Sequence, residues 1–171
     1  MKFCYALLFA LACCSPIISQ QACPVQFNFG TEFFAENFSE LRQSFSAAPE
    51  EVVDSYVVRY LQCYHIPGSE ARALLEKEGV RFLGYIHYGA YLIAFPEDFD
   101  IKRLDLLEPR SLVTVNPLWK ITQNLREQPF GEWAVHGNMI DVNLQVYPFL
   151  TITRGADLCR QNGLVILTEG T

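Results

Sequence analysis

The chain has 171 residues, 50% of them apolar, and a formal charge of −6. That apolar share is enough to bury a core and excludes a disordered tail, and the length suits one ordinary domain or a small domain with parts of others. The acidic balance, with no stripe of Lys and Arg, excludes a nucleic-acid or anionic-membrane surface.

Residues 1–19 read as a secretory signal: Lys2, an apolar run from Cys4 to Ala12, then small and polar residues around Ser15, Ser19 and Gln20. The run is too short to span a bilayer, and cleavage is expected after Ser19. A lipoprotein signal ending on Cys13 is the competing reading, weakened by the short run before it and by the adjacent Cys14. The mature product is expected to be secreted or periplasmic, with no later membrane span. Cleavage removes three of the six cysteines and leaves Cys23, Cys63 and Cys159. Three thiols make no disulfide framework, although one bridge is open to them, and they lack the paired spacing of a zinc site. Cys63 and Cys159 read as small core residues.

Residues 20–54 form an N-terminal segment. It is irregular from Gln21 to Phe29, then helical where Phe34, Phe38, Leu41 and Phe45 recur with polar residues between them. Ala47-Ala48-Pro49-Glu50 ends that helix and hinges into residues 55–117. There, Tyr56–Tyr64 reads as a strand, Pro67-Gly68-Ser69 as a turn and cap, and Ala71, Leu74 and Leu75 as a helical stripe closed by Gly79. Val80–Ile86 is a second strand, Tyr88-Gly89 a turn and Ala90–Phe95 a third strand. Pro96 and Asp98 open a helix with Ile101, Leu104 and Leu107 inward, and Leu112–Val115 is a fourth strand closed by Pro117. The fold class is therefore α+β, a ferredoxin-like β-α-β-β-α-β sandwich with both helices on one face of an antiparallel sheet.

Residues 118–139, with Trp119, Pro129, Phe130 and Trp133, form a bridge expected to pack along the domain. Residues 140–171 then read as strand (Ile140–Tyr147), helix (Leu150–Asn162) and strand (Leu164–Leu167). A constant shift of about 84 residues sets Val58 on Val142, Leu74 on Leu158, Gly79 on Gly163 and Val80 on Leu164, which suggests an incomplete second β-α-β repeat. Half a sheet leaves an open edge, so a truncated chain is expected.

The runs Tyr56-Val57-Val58-Arg59-Tyr60, Leu74-Leu75-Glu76-Lys77-Glu78-Gly79-Val80-Arg81-Phe82-Leu83-Gly84-Tyr85-Ile86 and Ala90-Tyr91-Leu92-Ile93 resemble the N-terminal propeptide region of secreted bacterial subtilisin-like serine peptidases. The likeness covers Ser55–Trp119, with a weaker echo from Ile140 onward. It implies a prodomain that acts as intramolecular chaperone and inhibitor of a subtilisin-like catalytic domain, its partner in cis in a full-length serine endopeptidase. In such an arrangement the sheet packs on the enzyme and an extended segment lies in the substrate cleft. The chain departs from the peptidases themselves, because the signatures of the Ser, His and Asp of a triad are missing. Val135-His136-Gly137-Asn138 only faintly resembles the histidine motif and lacks its Thr. No catalytic, cofactor-binding or metal-binding set is expected, and no cofactor.

Other candidates each have a plain structural reading. His65, His87 and His136 stand alone and suit strand ends or turns. Glu76, Lys77 and Glu78, with Arg72 a turn back, suit a solvated helix face with i,i+4 pairing rather than a docking surface. Tyr56, Tyr60, Tyr85 and Tyr91 suit packing on one side of the sheet, and Trp119 and Trp133 either an interface or a cover for the domain's own end. Asn37-Phe38-Ser39 matches a glycosylation sequon if the source is eukaryotic. The alternative to the propeptide reading is an exported structural or adhesive α/β repeat module that binds another envelope protein.

Overall fold

Tyr56–Cys63 is the strand around which everything else is laid. In the computed structural model, which describes residues 23–27, 29–127 and 130–168, this strand is buried from Val57 to Cys63 without a break. An alternating pattern would leave one face to water; a run buried at successive positions requires cover on both faces.

Cys23–Phe27 (β1) and Gly30–Phe34 (β2) pair as an antiparallel hairpin. Phe38–Ser44 (α1) follows, then Val52–Val53 (β3) and the central strand Tyr56–Cys63 (β4). Ser69–Lys77 (α2), Arg81–Tyr85 (β5), Ala90–Pro96 (β6), a 3-10 helix at Ile101–Leu107 and Pro109–Thr114 (β7) complete the sheet unit. The class is mixed α+β, and the main sheet is antiparallel in the order β7-β4-β6-β5, with β3 on the start of β4.

One face of this sheet carries Val57, Leu61 and Cys63 of β4 with Ile93 and Phe95 of β6. They share a core with Leu75 of α2, with Ile101, Leu104 and Leu107 of the 3-10 helix, and with Phe38 of α1. Burying a Leu, Ile or Phe side chain is worth about 1.5–3 kcal/mol, so this cluster supplies the bulk of the driving force. The opposite face carries Tyr60 and Ala90, under Val25 and Phe34 of the hairpin and beside Trp119.

Several expected elements change. Gln21–Phe29 is not irregular where it is described: the hairpin lies there, because Val25 and Phe34 must close the second face. The helix expected from Phe34 begins only at Phe38; Phe34 belongs to β2, opposite Cys23. The segment after Pro96 is a 3-10 helix rather than an α-helix. Ile101, Leu104 and Leu107 are spaced by three, and a three-residue turn stacks them in one row against the core. Leu74, expected inward on α2, is half exposed. In the C-terminal part, Met139–Ile140 pairs only with Val135–His136, as a two-residue hairpin. Residues 141–147 and 164–167 form no strand. Without a partner edge their backbone groups have no ladder to join, whatever the side-chain pattern. The helix does form, as Ile152–Gln161 (the last helix), capped by the Thr151 hydroxyl and followed by Gly163 at φ 79°. The internal likeness thus holds for helix and glycine and fails for both strands. The secretory signal lies outside the described residues.

Polar groups fix the packing. Arg59, on the helix-facing side of β4, is only 4% exposed. Its guanidinium meets the Glu51 carboxylate at 2.6 Å and lies 5.6 Å from the Phe45 ring centroid. Glu51 also accepts from the Ala48 amide at 2.8 Å and the Thr114 hydroxyl at 3.0 Å. Burial acts to raise the Glu51 carboxyl, but the Ala48 amide, Arg59 and Thr114 outweigh it and hold it below the usual carboxylate range. Glycine is required at Gly89 (φ 70°), where a Cβ would stand 2.9 Å from the Cys63 carbonyl oxygen.

Two outcomes follow for stability. Glu51→Ala strands a buried guanidinium and should cost about 3 kcal/mol in urea unfolding. Because the folded carboxyl titrates below its unfolded value, the Glu51 contribution is present above the ordinary carboxylate range and fades as pH falls through it. The gap between wild type and variant should therefore shrink under acid; a gap constant down to pH 3 counts against it. Gly89→Ala should cost about 2 kcal/mol through strain and the carbonyl contact, and an unchanged melting temperature would refute that.

Candidate functional site

The residues with chemical potential are spread over three regions. At the C-terminal end of β4, the Tyr64 hydroxyl donates to the Glu36 carboxylate. Arg110 lies 4.0 Å from Glu36. Its guanidinium, 4% exposed, donates to the Phe34 carbonyl at 2.8 Å and to the Gln62 amide oxygen at 3.0 Å. Beside them Arg42 pairs with Asp105 at 3.0 Å, and His65 lines the same open depression of about 640 Å³. Here Arg42 with Asp105 and Arg110 with Glu36 already pair with one another, which makes an ion-paired rim rather than a set of poised groups.

The histidines stay apart. His65 borders that depression, and His87 packs edge-on against Tyr88 at 4.0 Å in the β5–β6 turn. His136 meets Asp141 at 3.0 Å across the Val135–Ile140 hairpin, a carboxylate partner that spacing along one element does not reveal. Both side chains of that pair are exposed. Among the described residues no three His, Cys, Asp or Glu side chains stand close enough to hold a metal ion. No described helix is long and apolar enough to cross a membrane.

Other expected residues divide by sheet face. Tyr60 lies under the hairpin and Trp119, while Tyr91 belongs to the helix-side core, so the tyrosines do not share one side. Glu78 pairs not along its own helix but with Arg103 of the 3-10 helix, joining the two helical segments. Trp119 stacks on Phe27 at 5.5 Å and donates to Glu32, covering the domain's own sheet; Trp133 is 83% exposed. Asn37 does not present a free amide. Its side chain donates to the Leu112 carbonyl at 3.1 Å and accepts from the Leu112 amide at 2.9 Å, as a neighbouring strand would. That occupies the sequon nitrogen and seals the outer edge of β7.

The third region is the segment before the last helix. Residues 141–146 are exposed, with apolar side chains at Val142, Leu144 and Val146 in alternation. After them Phe149 packs on Tyr56 with ring centroids 4.9 Å apart and Tyr147 stacks on Phe149 at 5.5 Å. Sequence reasoning missed the roles of Glu36 and Arg110, and named Asn37 only as a sequon residue without its bonds to Leu112, because their partners lie on other elements far along the chain. It also missed the β1–β2 hairpin, although Val25-Gln26-Phe27 and Glu32-Phe33-Phe34 are separated by only a short stretch that contains Gly30.

Cys63 is buried and free, and burial, seconded by the Glu108 carboxylate, pushes its thiol up to about 12. Cys159 is less buried. Iodoacetamide at neutral pH should therefore modify Cys159 first and Cys63 about a thousand-fold more slowly, reaching full rate only in denaturant. Equal labelling of both in the native protein, read by peptide mass, would contradict the burial.

The family described as Domain of unknown function (DUF8729) matches residues 25–116. That span runs from the hairpin to the end of β7 and leaves the C-terminal segment outside. No curated protein and no solved structure matches the chain. With just over half of its length matched, the chain belongs to the DUF8729 family.

Proposed function

We propose that this is an exported, non-catalytic module of prodomain type, ferredoxin-like in arrangement, that binds and inhibits a subtilisin-like peptidase and assists its folding. The observation that carries the reading is the strand order β7-β4-β6-β5, antiparallel throughout, with α2 and the 3-10 helix on one face. Four strands and two helical segments connected in that order are what a split β-α-β arrangement calls for, which supports the reading. The resemblance of Tyr56–Ile93 to secreted peptidase propeptides supports the same partner.

The exposed segment 141–146 suits the inhibitory contact. An exposed segment outside helix and sheet, with alternating apolar side chains at Val142, Leu144 and Val146, is suited to adding to a peptidase cleft as a strand does. The opposite sheet face is a second contact, but in the free chain it is filled by the hairpin, Trp119 and the rings of Tyr147 and Phe149. The adhesive reading has its own support in the exposed Trp133, Val165 and Leu167, which suit attachment to another exported protein.

Protein lacking residues 1–19, added at micromolar concentration, should slow peptide hydrolysis by a purified subtilisin-like endopeptidase and raise its refolding yield. Neither effect at that concentration would refute the reading. Saturable binding to an envelope protein instead would favour the adhesive one.

A further inference from the structure

The sheet face opposite the helices is closed from two ends by covers of unequal strength. Tyr56, Val58 and Tyr60 of β4 lie on this face, with Ala94 of β6 and Arg81 of β5 in register beside Val58. Over Tyr60 sits the hairpin, tied down by the buried Arg110 bond to the Phe34 carbonyl. Over Tyr56 sits a strap of three residues, Tyr147 to Phe149. It is held by the Phe149–Tyr56 ring contact at 4.9 Å, by Lys120 above the Tyr147 ring at 5.5 Å, and by the Arg154–Asp54 pair at 3.1 Å just beyond it. Both members of that pair are more than 40% exposed.

Single ring contacts and exposed ion pairs are the weak class of interaction. Among the described residues the non-helical backbone bonds of 141–150 stay within the C-terminal segment, from Asp141 to Ala134 and from Leu150 to Tyr147, and none reaches the sheet. Packing beside the strap is incomplete, since an open cavity of about 460 Å³ separates Pro148 and Phe149 from Arg81, Phe82 and Leu83. The strap also lies outside residues 25–116, the span the family shares.

We infer that the Tyr147–Phe149 strap is an exchangeable cover. In the free chain it occupies the aromatic face that the apolar surface of a partner takes on binding, and it leaves when the partner arrives. The identity of the partner, a subtilisin-like catalytic domain, rests on the function proposed above; the exchange rests on the geometry. A closed strap lowers apparent affinity by the fraction of molecules that are open, so loosening it tightens binding without any new contact.

The test compares wild type, a Tyr147→Ala and Phe149→Ala double variant, and Arg154→Ala, which cuts only the surface pair, each in the full mature chain. Anilinonaphthalene sulfonate fluorescence reads exposure of the face, thermal unfolding reads the core, and a purified subtilisin-like endopeptidase reads binding. The double variant should unfold cooperatively, enhance the dye several-fold and inhibit about 10- to 100-fold more tightly; Arg154→Ala should move the same way by less. Unchanged dye fluorescence, loss of cooperative unfolding in both variants, or inhibition no tighter than that of an inhibitory wild type overturns the exchange. Enhanced dye binding with no inhibition by any of the three chains upholds the strap and removes the peptidase as partner.

Discussion

A central strand buried on both faces is the constraint from which the rest of the fold follows. Ordinary antiparallel sheets of this size face water on one side, and their strands alternate. Tyr56–Cys63 does not alternate: Val57 and Leu61 point to one face, Val58 and Tyr60 to the other, and all four are shielded. Two helical segments close the first face, and closing the second needs chain from outside the sheet unit Tyr56–Thr114. The hairpin at Cys23–Phe34 supplies half of that cover, which explains why the family span begins at residue 25 rather than at β4. Trp119 and the Tyr147–Phe149 strap supply the other half.

Buried polar side chains decide how those covers are aligned. Arg59, Gln62, Arg110 and Ser111 are all under 5% exposed. Each Arg links elements that apolar packing alone would let slide. Arg59 pins the turn before β3 through Glu51, and Arg110 pins the end of the hairpin through the Phe34 carbonyl and β4 through Gln62. A buried guanidinium is weak evidence for net stability, because the cost of removing it from water is large. Its bonds nevertheless penalise every register that leaves them unmade. Arg110 thus favours the seating of the hairpin that brings the Phe34 carbonyl to its guanidinium.

What was legible in the sequence was local. The four strands and two helical segments between Tyr56 and Thr114 follow from short-range signals: β-branched runs, Gly79 at a left-handed helix end, and the Tyr88-Gly89 turn at positive φ. The misread parts depend on distant partners. Phe34 fits a helical stripe with Phe38 and Leu41, yet it serves the opposite face because the uncovered Tyr60 draws it there. Ile140–Tyr147 has the alternation of a strand, but a strand is a pairing and no edge is offered. Three-residue spacing at Ile101, Leu104 and Leu107 was visible as a stripe; that it specifies a 3-10 turn becomes plain only when all three touch one core. For the candidate site, the aromatic residues could be listed from the sequence. Their division between two faces, and the use of Asn37 as a substitute strand, could not.

The same constraint limits how the molecule can meet a partner. Both sheet faces are covered in the free chain, and Asn37 occupies the peptide groups of Leu112 on the outer edge of β7. At the other edge, β5 carries an irregularity between Phe82 and Gly84 where it pairs with β6, and such a bulge twists an edge away from regular strand addition. The sheet is therefore guarded against further pairing at both edges. Under the proposed function, backbone-mediated contact is assigned to the exposed segment 141–146, and apolar contact to the sheet face whose cover is held by ring contacts and an exposed ion pair. The segment 141–146 and the Tyr147–Phe149 cover both belong to the stretch of chain beyond residue 116. A family domain that folds around its own central strand is followed by a segment that meets it through ring contacts and an exposed ion pair, so the proposed exchange would leave the helix-side core of the sheet untouched.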